Sequence, residues 1–183
     1  MSGALVHPAI AGARRGVAAA AQPVLDAAAV RAALAEVADP EIPVVSIIDL
    51  GMVGEIHVGP DEIRVALLPT FVGCPALELI RSAVEQRLRV FDRPVDVRFE
   101  FRVPWTSDRI TPEGRDRLRA SGFAPPGSTQ PEVPLLVQLS TPVPCPNCGS
   151  LRTVLENAFG PTRCRAIHHC TACRQPFEGF KAV

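Results

Sequence analysis

The sequence predicts an α+β fold in which a small helix-covered sheet domain is followed by a C-terminal ribbon stapled through cysteine. Three observations carry that prediction. Helical and strand periodicities alternate as α, β, β, α, β, α between residues 24 and 122. Pro125, Pro126, Pro131, Pro134 and Pro142 then mark an extended connection over residues 123–143, with Pro144 directly after it. The remaining tail, 144–183, carries two Cys-x-x-Cys pairs and is too short to hold itself together by apolar burial alone. Residues 1–23 read as a disordered leader.

The first helix follows from Val30, Leu34 and Val37 at i, i+4 and i+7, with Asp26 as N-cap. Asp39-Pro40-Glu41-Ile42-Pro43 ends it, because each proline disfavours the helical state of the residue before it. Residues 52–58 and 63–68 read as two strands joined across Gly59-Pro60-Asp61-Glu62. A second helix is expected over 75–90, with Pro75 at its first position and Leu77, Ile80, Val84 and Leu88 as its apolar stripe. Strict alternation over 95–103 predicts a strand with Val95, Val97, Phe99, Phe101 and Val103 on one face. The last helix starts at Thr111 with Pro112 at N1 and stops at Gly122. Within the proline-rich connection, Leu135 to Leu139 is a candidate for one more strand.

Composition limits the function. The 183 residues hold 19 basic and 19 acidic side chains, so no global field draws the chain to nucleic acid or an anionic membrane. No apolar run approaches the ~20 residues that a spanning helix needs. Arg14-Arg15 mimics a twin-arginine signal, but the apolar stretch after it falls short of the roughly 7 to 15 residues of a true h-region. Paired cysteine spacing points to metal binding in a reducing compartment, and the expected location is cytoplasmic.

Cys145-x-x-Cys148 and Cys170-x-x-Cys173 are separated by 21 residues, close to the ~15 to 20 of a zinc ribbon. Each pair would sit in a tight turn that aims two thiolates at one tetrahedral site. Gly149 can supply the positive φ that such a turn requires. With four thiolates the zinc has no open position and is structural. An iron or iron-sulfur site, and a disulfide or redox dithiol, are the alternatives. Cys164 is either a buried small side chain or a participant in metal exchange, and His168 and His169 read as strand or surface residues. The five basic residues of 141–183 exceed its two acidic ones by three, a weak phosphate footprint that favours docking to protein over nucleic acid. Cys74 directly before Pro75 is expected at a helix start, where the macrodipole and free N–H groups lower a thiol pKa. A buried structural thiol is the competing reading.

Asp39-Pro40-Glu41-Ile42-Pro43 through Asp49-Leu50-Gly51, with Pro69-Thr70-x-x-x-Cys74-Pro75, resembles the SufT-like iron-sulfur assembly domain family. Cys145-Pro146-x-Cys148-Gly149-Ser150, Phe159-Gly160-Pro161-Thr162-x-Cys164 and Cys170-x-x-Cys173-x-x-Pro176-Phe177 resemble the zinc ribbon of its PaaD subfamily, encoded with phenylacetyl-CoA 1,2-epoxidase. Pro104-Trp105-Thr106 and Glu113-Gly114-Arg115 fit the same subfamily, from which His168-His169 departs. The resemblance implies an accessory component in aerobic phenylacetate degradation. That component would assist assembly or insertion of an iron-sulfur or iron centre in a partner subunit, foremost the iron-sulfur flavin reductase. Cys74 would be a transient metal or cluster ligand, supported by Asp39, Glu41 and Asp49. A purely structural docking subunit is the other reading. The chain itself has no Glu-x-x-His pair for a di-iron site and no Gly-x-Gly-x-x-Gly. It is therefore expected to be non-catalytic, to bind no nucleic acid and to enter no membrane.

Overall fold

The computed structural model describes residues 25–127 and 142–181. The expected leader, most of the connection and the candidate strand at Leu135 to Leu139 lie outside those residues. Helix α1 (Ala27–Leu34) is capped by Asp26, whose side chain accepts from Ala29 N–H, and it buries Val30, Ala33 and Leu34. It ends earlier than the periodicity suggests. Val37 is buried from the turn that follows, where its carbonyl accepts from Ile47 N–H.

Strands β1 (Val53–Val58) and β2 (Ile63–Leu67) form the expected antiparallel hairpin. Helix α2 (Leu77–Leu88) carries the chain to β3 (Val95–Phe99), which pairs parallel to β2, so the three-stranded sheet runs β1-β2-β3. Helices α1 and α2 pack on each other and on this sheet. Two expectations fail here. The α2 N-cap is Ala76, without a side-chain cap, so Pro75 precedes the helix and Cys74 lies farther from its first turn. The alternation at 95–103 also outlives the strand, and Phe101 and Val103 are exposed. β2 ends at Leu67, whose carbonyl takes a last bond from Glu100 N–H at 2.8 Å. Beyond it the Glu100 carboxylate turns onto Arg102 N–H at 2.7 Å, leaving no ladder for the following residues.

Helix α3 (Pro112–Ala120) matches expectation, with Thr111 accepting from Gly114 N–H and Pro112 in the first turn. Gly114 lies so close to the loop before β1 that a Cβ there would stand 2.7 Å from the Asp49 carbonyl oxygen. Gly51 is equally constrained, since it has φ +64° and an added Cβ would meet Arg109 O at 2.2 Å.

The tail forms a four-stranded sheet ordered β4-β7-β6-β5, from β4 (Phe123–Ala124), β5 (Thr153–Asn157), β6 (Arg165–Cys170) and β7 (Pro176–Phe180). Its edge strand β4 pairs parallel to β7, so residues assigned from sequence to the connection belong to the ribbon sheet. The main core also crosses the expected boundary, because Cys164 and Phe180 of the ribbon are buried in it with Trp105. Among the described residues, the ribbon's own cluster buries Ala124, Cys145, Cys170 and Phe177, with Val143, Ala172 and Cys173 packed partly buried against it. So small a cluster leaves the fold of the tail dependent on a further staple.

Candidate functional site

The two Cys-x-x-Cys turns are built alike. Cys145 N–H donates to Ser150 O and its carbonyl accepts from Gly149 N–H, while Cys170 N–H donates to Gln175 O and its carbonyl accepts from Arg174 N–H. The residue after each second cysteine is left-handed, with φ +73° at Gly149 and +61° at Arg174. Sequence singled out the glycine and missed the arginine, which fills the same backbone role without glycine's freedom.

These turns bring the four sulfurs within 4.8 Å of one another. Cys145 Sγ is 3.7 Å from Cys173 Sγ, and Cys148 Sγ is 3.6 Å from Cys170 Sγ. A disulfide needs about 2.05 Å, whereas the edge of a tetrahedron with 2.3 Å metal–sulfur bonds is about 3.8 Å. The set therefore fits one metal ion. Electrostatics agree: backbone N–H groups of Cys173 and Ala172 bring the Cys170 thiol down to about 6. Cys173 receives a Gln175 backbone bond that works downward, yet burial and the three neighbouring sulfurs push it up to about 12. Four thiolates this close need a cation to coexist. His168, by contrast, is buried and stacked on Phe177 at 5.4 Å, with burial lowering its pKa.

The second group of chemistry-bearing residues lies at the seam between the sheet domain and the ribbon. Asp39 is buried, and its Oδ1 accepts from Glu41 N–H at 2.9 Å and Ile42 N–H at 2.8 Å, which fixes the turn that presents Glu41. Burial raises the Asp39 pKa, against those hydrogen bonds and Arg165. Cys74 packs against the core edge, half-buried. Its pKa is raised, contrary to the expectation of a helix-activated thiolate, because burial outweighs the Ala76 N–H bond and Glu41 and Asp39 add to burial.

Cys164 reaches this place from the ribbon. Its Sγ is 3.8 Å from Glu41 Oε2 and 3.2 Å from Thr162 Oγ1. Burial and the same two carboxylates push its thiol up to about 11, against Thr162 and Arg165. The buried Arg165 closes the seam by donating to Glu178 Oε2 at 2.7 Å, Thr162 Oγ1 at 2.9 Å and Glu41 O at 3.3 Å. Trp105 closes it on the other side, donating from Nε1 to Leu50 O at 2.7 Å with its ring 5.8 Å from Phe180. Nothing in the spacing of Cys164 announced Glu41 as its neighbour. Asp49 stands apart from this group, since its Oδ2 accepts from Ser46 and from Arg117 at 2.7 Å and ties the loop to α3. Beside the Cys74 loop, Pro69, Phe71, Val72, Phe101, Val103 and Trp105 line an apolar groove of about 320 Å³.

Among the described residues, no helix is long and apolar enough to cross a membrane. The family model for the PaaD zinc beta ribbon domain matches residues 129–181, and that for the iron-sulfur cluster assembly protein family matches 27–100. Solved structures similar to the chain include a domain of unknown function, DUF59, from Bacillus anthracis, with 25% identity, TM-score 0.47 and coverage of 50% of this chain and 89% of that one. A conserved hypothetical protein from Thermotoga maritima has 28% identity, TM-score 0.45 and coverage of 51% and 94%. The chain is 37% identical over 153 residues to an Escherichia coli K12 protein named as the D component of a "Putative 1,2-phenylacetyl-CoA epoxidase", covering 83% of this chain and 90% of that protein. With a metal-ready ribbon, an assembly-type domain and a relative of that extent, the chain belongs to the PaaD family of phenylacetyl-CoA epoxidase components.

Proposed function

We propose that this protein is an accessory component of a phenylacetyl-CoA 1,2-epoxidase, assisting assembly or insertion of an iron-sulfur or iron centre in a partner subunit. The iron-sulfur flavin reductase is the partner whose chemistry fits best. The observation that carries the reading is the match of residues 27–100 to an iron-sulfur cluster assembly family, in a domain where Cys74 feels the charges of Glu41 and Asp39. A half-buried thiol beside carboxylates can offer sulfur to a metal ion and release it again, because its burial is incomplete and the ligand is single.

The ribbon has a different role in this reading. Cys145, Cys148, Cys170 and Cys173 hold a structural zinc, whose four thiolates leave no open position for exchange. Zinc binding is then part of the folding of the tail. The cysteines stay reduced, as in the cytoplasm.

The test is complementation of a strain lacking the native gene. Cys74→Ser should retain one zinc per chain and the wild-type fold, yet depress epoxidation and yield reductase short of iron. Adding fully loaded reductase to the extract should restore the rate. Wild-type epoxidation and reductase iron in the Cys74→Ser strain would overturn the assembly role and leave structural docking.

A further inference from the structure

We propose that β3 is a dimerisation edge, which pairs antiparallel with β3 of a second copy of this chain in a register centred on Phe99. The proposal is independent of the assembly role. In the order β1-β2-β3, β3 borders the sheet, and among the described residues no strand pairs with its other side. Pro94 O accepts from Ile63 N–H and Glu100 N–H donates to Leu67 O, so the even-numbered residues of this stretch bond to β2. The backbone groups of Val95, Val97, Phe99 and Phe101 therefore point outward, as a template for another strand.

The residues on this edge say which strand fits. Strand-type alternation continues to Val103, although β2 ends at Leu67 opposite Phe99, and it leaves Phe101 57% and Val103 50% exposed. The other face carries Asp96, Arg98, Glu100 and Arg102, alternating in sign. In an antiparallel pair centred on Phe99, Arg98 faces Glu100 of the second copy, Asp96 faces Arg102 and Val97 faces Phe101. Two-fold symmetry makes each of these pairs form twice. Registers centred on Arg98 or on Glu100 set arginine against arginine and carboxylate against carboxylate, and are repelled. One centred on Val97 keeps an Arg98–Asp96 pair but leaves Glu100 opposite Pro94. A charged edge ordinarily deters pairing; here the alternation deters the neighbouring registers and favours one.

Within the chain, Arg98 pairs with Asp96 at 2.7 Å and Arg102 with Glu100 at 2.9 Å, but side-chain exposures of 78% and 91% let both arginines reach across. Two three-stranded sheets then become one of six strands. The strand of the second copy runs past Phe101 and Val103, which line the apolar groove, and brings its own Val95 to the groove's mouth. Trp105 ties the chain back to Leu50 O just beyond, so the new ladder is short and the dimer exchanges with monomer in a concentration-dependent way.

The test is sedimentation of the full-length, reduced, metal-loaded protein over about 1 µM to 1 mM. Wild type should pass from monomer to dimer. Arg98→Glu and Glu100→Arg each turn two attractive cross-strand pairs into repulsive ones, and each should weaken dimerisation by about tenfold or more. Mixed in equal amounts, the two variants should recover it as a heterodimer, because every reversed charge then meets its opposite. Mixing cannot rescue a misfolded variant. Phe101→Pro, which removes an outward N–H and no bond to β2, should also weaken the dimer. In hydrogen exchange, the amides of Val97, Phe99 and Phe101 should gain protection as the dimer forms. A monomer across the whole range, or a mixture no tighter than the single variants, would overturn the proposal. Glu100→Arg dimers as tight as wild type would do the same, by moving the contact to another register or surface. Protection of those three amides where the protein is still monomeric would assign the edge to another segment of this chain, and would also overturn it.

Discussion

Truncation of Arg165 to alanine is expected to detach the ribbon from the sheet domain. The side chain is 10% exposed and makes an ion pair with Glu178, whose own side chain is 31% exposed. It also donates to Thr162 Oγ1 and Glu41 O, and its guanidinium lies 5.6 Å from the centre of the Phe123 ring. Breaking a fully buried pair costs about 3 to 5 kcal/mol. Glu178 can rehydrate through its exposed third, which places the loss near the lower end, about 3 kcal/mol. For a chain of this size each kcal/mol moves the midpoint by about 2 to 4 °C, so Arg165→Ala should lower Tm by about 6 to 12 °C. The assay has a local reporter, since the chain contains a single tryptophan and its ring packs 5.8 Å from Phe180 across the seam. Trp105 emission should shift to the red below the main transition while metal content stays at the wild-type level. A Tm within about 1 °C of wild type with unchanged emission would refute the assignment of Arg165 as the seam's closing residue.

Three other outcomes are expected. Trp105→Phe keeps most of the ring but leaves Leu50 O buried without its donor, so urea unfolding should show a loss of about 1 to 3 kcal/mol; no change in midpoint would contradict the bond at 2.7 Å. Stripping the ribbon metal with a chelator should unfold residues 144–181 while the α1 to β3 region keeps its amide protection, because the ribbon's own cluster is small, with Ala124, Cys145, Cys170 and Phe177 as its buried members; protection retained in the ribbon would show that it needs no metal. Asp39 has a raised carboxyl pKa in the fold, so its contribution is full below the unfolded pKa and is lost as pH rises through the folded value. Asp39→Asn keeps an oxygen for the Glu41 and Ile42 N–H groups. It should therefore be more stable than wild type at pH 7, with the gain vanishing toward pH 4, and a gain that grows on acidification would have the wrong sign.

Much of the architecture could be read from local pattern. Asp26, Thr111-Pro112 and Gly122 mark helix ends by chemistry that acts within one turn, and the paired cysteines meet because each turn is closed by its own backbone bonds. The reading failed where a partner strand decides the outcome. Phe101 and Val103 continue a perfect alternation, yet β2 has already ended and no ladder remains for them. Pro75 suggests an activated thiolate at Cys74, but α2 begins at Leu77 and burial raises the thiol instead. Glu41 and Cys164 could be named individually. Their meeting could not, because it depends on how Arg165 and Trp105 hold two units together.

The parallel pairing of β4 with β7 bears on how this chain can be cut and how it is made. Phe123 and Ala124 pair with Glu178 and Gly179, so β7 completes a sheet whose edge was laid down some fifty residues earlier. On a translating ribosome, that edge has to wait until β7 has emerged. A fragment starting at residue 129, where the ribbon family match begins, would lack the edge and expose β7 to pairing with a second copy. A clean excision would instead begin before Phe123. The tail is therefore less a module that can be moved between proteins than a lid woven into the domain it follows.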